Sequence, residues 1–205
     1  AESLQVVAMA GNGHPLEAER LIVSLAKASP RDLMVIAERL APFVATKNRQ
    51  RQLQYVALQL HAIELLVPHK KSLSREEQDR LEQFQARAYL VTGESGKALE
   101  IYEQLATASA KDANRQREIA GILAEATAKE YSVLAKQCWR RAESLSKQGS
   151  ADWFTARLGV ITASVKLNEQ ADAKKLLTVT KLLYPELGGP ELKKRFLELE
   201  QKLGK

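Results

Sequence analysis

One short pattern constrains this chain more than any other feature: a small residue followed by apolar residues three, four and seven places later. It is clearest at Ala98, Ile101, Tyr102 and Leu105, a spacing that lays one stripe along an α-helix. The stripe recurs at Ala18, Leu21, Ile22, Leu25; at Ala135, Cys138, Trp139, Ala142; and at Ala173, Leu176, Leu177, Thr180. A looser copy stands at Leu53, Val56, Ala57, Leu60. A helix with one apolar stripe needs a neighbour to cover it, so copies 35 to 45 residues apart predict a stack of repeats.

The turns support the register. Five places before the copies stand Gly13, Asn48, Gly93, Glu130 and Asn168. Four of these are Gly or Asn, which enter left-handed backbone at least cost, as a tight bend between helices requires.

Composition agrees, with good helix formers dominant and only 6 Pro and 10 Gly in 205 residues. The expectation is an all-α protein of about ten to eleven helices, read as one repeat domain over 1–205. The repeats are clearest over 79–189, and a capping helix fills 190–205. Ser29-Pro30 is expected to cap one helix, and the turn at Thr46-Lys47-Asn48 leads into a long helix ending near Pro68. Ser74 with Glu77 reads as a capping box. A helix is expected from Asp112 to Lys129. The final helix carries one narrow apolar stripe, Leu192, Phe196, Leu199 and Leu203, as the end of a stack should.

The segment Tyr89-Leu-Val-Thr-Gly93, then Ala98 and Tyr102, resembles the tetratricopeptide repeat, a helix–turn–helix unit of about 34 residues. Pro185 follows Ala173, and Pro30 follows Ala18, by the twelve places that family uses for its closing proline. The resemblance covers about 13–189. It departs in a stretched period and in a mostly missing Trp, Leu and Gly signature of the first helix, which leaves HEAT-like arrays as the alternative. It implies a right-handed α-solenoid of antiparallel helix pairs whose first helices line a concave groove. On that register Arg80, Gln83 and Arg87 lie on the groove side of one pair and Arg117 on that of the next. Guanidinium groups there suit carboxylates, so the implied partner is a protein or peptide, acidic in character. The family's chaperone-tail binders use Lys and Asn at fixed groove places. Here Gln83, Arg87, Ala120 and Ala124 stand there, so that activity is not implied.

Charge and motifs exclude other classes. The net charge of +6 is uneven: residues 1–110 hold 13 Lys+Arg and 13 Asp+Glu, residues 111–205 hold 18 and 12. Aromatics make up 5% of the chain, and Tyr102, Trp139 and Trp153 fall at core places. Lys193-Lys-Arg195 and Arg140-Arg141 therefore lack the stacking platform of a single-strand nucleic-acid reader. The one cysteine, Cys138, forms no internal disulfide and has no activating base, so it reads as a core residue beside Trp139. His14, His61 and His69 lack metal-ligand spacing, Glu76-Glu77 belong to a helix start, and Gly93-Glu-Ser-Gly96-Lys97 is a turn rather than a phosphate loop. No catalytic, cofactor or metal site is expected. The uncharged runs, Gln52 to Ile63 among them, are too short to span a bilayer. The expected role is a non-enzymatic binding scaffold within a longer protein, next to further domains. A structural spacer is the alternative, an RNA-binding α-solenoid a weaker one, and no compartment is indicated.

Overall fold

Each stripe in the sequence becomes a helix. The computed structural model describes residues 2–46 and 48–204, the side chain of Ala28 excepted. The described residues are all-helical, with eleven α-helices, two short 3₁₀ segments and no strand. Contacts group the chain into two units, 1–102 and 103–205.

The first unit holds α1 (Glu2–Gly11), α2 (Pro15–Ala28), α3 (Pro30–Leu40), α4 (Arg49–Leu66), α5 (Arg75–Thr92) and the first half of α6 (Ser95–Ala108). Its core gathers Ile22, Leu33, Ile36, Leu40, Val56, Ile63, Leu66 and Leu81, all buried. The α4 helix touches α2, α3 and α5, and being covered on several sides shifts its buried face away from the expected stripe. Leu53 and Ala57 are exposed, while Tyr55, Val56, Gln59, Ala62, Ile63 and Leu66 are buried. The buried Gln59 amide donates to the Ala37 carbonyl at 2.8 Å, meeting the requirement that an interior polar group be paired.

Three of the five turn residues behave as expected, with positive φ at Gly13, Gly93 and Asn168. Asn48 instead has φ −76° and caps α4, its side chain accepting from the Arg51 amide at 3.0 Å. Lys47 of that turn lies outside the described residues. Glu130 falls inside a helix. Ser29 makes no side-chain capping bond. Pro30 starts that helix without it, since its fixed φ suits a first helical residue and its missing N–H had no partner to lose.

The capping box at α5 is complete: the Glu77 amide donates to Ser74 Oγ at 3.2 Å, and the Ser74 amide donates to Glu77 Oε2 at 2.8 Å. These bonds, the Ser74 backbone first, hold the Glu77 carboxyl below its usual range. A depressed folded-state pKa stabilises the helix start above the unfolded value and loses that contribution as pH falls through the folded one. An NMR titration should therefore place Glu77 below the ordinary glutamate range, with the α5 amides becoming less protected from exchange under acid. Ser74→Ala, which keeps the backbone amide and removes the hydroxyl, should bring Glu77 only part of the way back toward the ordinary range.

The second unit holds the rest of α6, then α7 (Ala113–Glu125), α8 (Lys129–Leu145), α9 (Ala151–Lys166), α10 (Gln170–Leu183) and α11 (Pro190–Leu203). The α7 helix stops four residues before its expected end, and Ala126 is already extended. The end of α6 is closed from elsewhere in the unit: the Ala106 carbonyl accepts from Gln116 Nε2 at 2.7 Å and Arg141 Nη1 at 3.2 Å. Side chains can satisfy the carbonyls that a helix end leaves open. Here α9 is central, with α8, α10 and α11 packed on it, which accounts for its almost continuous apolar sequence. Trp153, Phe154, Leu177, Leu187, Phe196, Leu199 and Leu203 form one core. In the turn before α11, Leu187, Gly188 and Gly189 have φ of 49°, 83° and 108°. Burying the Leu187 side chain, 1% exposed, contributes about 1.5–3 kcal/mol. That offsets the ~1–2 kcal/mol of left-handed strain on a residue with a Cβ.

Candidate functional site

The four basic and polar residues that the sequence points to divide between the units. In the first, Arg80 is paired with Glu38 of α3 at 2.9 Å, Gln83 is half-buried, and Arg87 is exposed. In the second, Arg117 is held by three groups: Asp152 Oδ2 at 3.2 Å, Ser146 Oγ at 3.4 Å and Asn114 Oδ1.

 The Arg117 guanidinium thus ties α7 to the first turn of α9, and both it and Arg80 already hold a carboxylate of their own unit.

The Trp139 ring overturns an expectation of full burial. Cys138 is wholly buried, whereas Trp139 is half-buried. In α2, α6 and α10 the stripe buries its first, fifth and eighth places, as in Ala173, Leu177 and Thr180. In α8 it buries Ala135, Cys138 and Ala142, so the helix is turned and the indole swings to the side of α9. Gly159 makes room for it there. A Cβ at that glycine would stand 2.3 Å from Trp139 Cδ2 and 2.5 Å from Cε2, so the ring lies directly against the α9 backbone.

Beside the indole opens a cavity of about 110 Å³. Ala124 of α7, Ser132 and Ala135 of α8, and Arg195 of α11 form its edges, and α9 supplies Thr155, Leu158, Gly159, Thr162, Ala163 and Lys166. The α9 residues recur at three- and four-residue steps, one face of a helix. Thr155 and Thr162 donate their hydroxyls to the Ala151 and Leu158 carbonyls, each at 2.8 Å, leaving mainly methyl groups to line the wall. Lys166 Nζ donates to the Ala124 carbonyl. A second cavity of about 420 Å³ continues past Ser132 and Lys166 to Glu125, Lys129 and Asn168. Together they make a groove with an apolar floor, three cations and one carboxylate among its described residues. Arg117 lies seven residues before Ala124 and so belongs to the same face of α7.

Of the expected groove residues, Arg117 alone belongs to the same unit as this groove. Trp139, Gly159, Thr162, Lys166 and Arg195 were missed, although small and polar residues recurring every three or four places in an otherwise apolar α9 mark an open face. Among the described residues no three His, Cys, Asp or Glu side chains could hold a metal ion, and no helix is long and apolar enough to cross a membrane. Burial pushes the Cys138 thiol up to about 11. Native protein at neutral pH should therefore react with a thiol reagent only as fast as it opens, and rapid labelling would contradict this.

These features define an all-helical protein with a preformed groove on one helix face. No protein-family model matches the chain, and no curated protein is significantly similar to it.

Proposed function

We propose that the chain is a non-enzymatic scaffold of tetratricopeptide-like helix pairs, a right-handed solenoid capped by α11, that holds a protein or peptide segment. The observation that carries this reading is the groove over α9. Its floor is rigid, because Gly159 seats the Trp139 indole and the core of Phe154, Ile161 and Phe196 backs the helix. A preformed concave face lowers the ordering cost of binding, and grooves between helices are where such proteins take their ligands. The test is to pan a random-peptide display library against the wild type and against Thr162→Met, which fills the groove from a half-buried position. Peptides retained by the wild type and lost by the variant support the scaffold. Retention that is equal for both, or absent for both, overturns it.

One observation favours the spacer reading. On α10, Leu182 and Leu183 are 79% and 61% exposed, and a neighbouring helix could cover them. Under that reading Leu182→Lys with Leu183→Lys would alter assembly and leave peptide capture untouched.

A further inference from the structure

The groove also carries information about what it holds. Its pocket is small and apolar, floored by an indole, and comparable to cavities of ~150 Å³ that take up a benzene ring. At about 110 Å³ it suits a branched aliphatic side chain rather than an indole or a phenol. Two cations line the same pocket, Lys166 and Arg195, and both are exposed. Neither is paired with a carboxylate among the described residues; Lys166 has only the Ala124 carbonyl. Three other lysines of the unit are engaged by carboxylates, Lys136 by Glu169, Lys181 by Glu200 and Lys193 by Glu186. The open face of α9 from Thr155 to Lys166 is ~16 Å long at the helical rise, the reach of about five extended residues.

Resting on the scaffold reading, we propose that this groove takes an extended acidic peptide. One leucine-, isoleucine- or valine-like side chain enters the Trp139 pocket, and neighbouring carboxylates meet Lys166 and Arg195. The carboxylates are recognised by charge at the rim and the aliphatic group by burial, so both are needed. A polyanion lacking the aliphatic group, RNA included, meets only half of the site.

The experiment sequences the peptides retained in the library selection and measures the best one, fluorescently labelled, by anisotropy and by the emission of Trp139. Retained peptides should pair an aliphatic residue with Asp or Glu within the five-residue reach. Binding should shift Trp139 emission to the blue, since Trp153 is already buried. Changing the peptide's aliphatic residue to Ala, or Thr162 of the protein to Met, should weaken binding at least ~10-fold, the value of burying such a side chain. Lys166→Gln and Arg195→Gln should each weaken it ~2–5-fold, as exposed ion pairs do, and the losses should shrink in high salt. Thr155→Met blocks the opposite end of the pocket and serves if Thr162→Met does not fold. Groove-dependent peptides without the aliphatic–acidic pair would overturn the partner while leaving the scaffold standing. Displacement of the peptide by poly(U) as readily as by itself would also overturn it, in favour of nucleic acid. A library with no groove-dependent peptide would remove both readings.

Discussion

Phe154→Ala is expected to cost the second unit about 3–5 kcal/mol, the range for emptying a buried phenylalanine site. The ring is 3% exposed and joins three helical segments through other rings. It meets Trp153 at 5.0 Å, Tyr184 at 5.4 Å and Phe196 at 6.4 Å between centroids, all at steep edge-to-face angles. Such pairs add about 0.5–1.5 kcal/mol beyond the area they bury. Tyr184 follows α10 and Phe196 belongs to α11, so losing the ring also loosens the attachment of the last helix. Denaturant unfolding followed by tryptophan emission should show the midpoint falling. A loss below about 1 kcal/mol, typical of sites away from the core, would mean that the ring does not join these helices.

Gly188→Ala should come close to the same cost from the opposite direction, by adding an atom. Its φ of +83° lies in the left-handed region, and a Cβ there would meet Phe154 Cδ2 at 2.6 Å and Cγ at 2.9 Å. Strain of ~1–2 kcal/mol and overpacking of ~1–3 kcal/mol fall on one residue, for an expected loss of about 2–5 kcal/mol. Two other glycines separate the causes. Gly189 has φ +108° with nothing within 4 Å of its Cβ position, so Gly189→Ala reports strain alone. Gly159 lacks positive φ but faces the Trp139 ring, so Gly159→Ala reports contact alone. Thermal unfolding should place the Gly188→Ala loss above the ~1–2 kcal/mol of left-handed strain alone. A loss no larger than that would mean that the contact with Phe154 contributes nothing.

The groove shows where periodicity stops being informative. Its stripe in α8 lists Ala135, Cys138, Trp139 and Ala142 as equals, yet Cys138 is buried and Trp139 half-open. A stripe fixes a helix face only to within one residue's rotation, ~100° at 3.6 residues per turn. Which side of it turns inward depends on a glycine twenty residues later, in α9. The same limit explains α4, where contact on several sides moved the buried face away from Leu53 and Ala57. It also explains Arg80 and Arg117, whose places on their helices were readable while Glu38 and Asp152, which neutralise them, come from other helices.

By itself the sequence determined the helices, most of their ends and the bends between them. Apolar spacing, caps such as Ser74 with Glu77, and left-handed Gly13, Gly93 and Asn168 are local properties that act within a turn or two of the chain. The tertiary structure alone decided which polar groups are engaged and which are open. Gln59 meets Ala37, Gln116 and Arg141 meet Ala106, and Lys166 and Arg195 come to one pocket beside Trp139. These pairings join residues far apart in the chain, and only helix packing sets their distances.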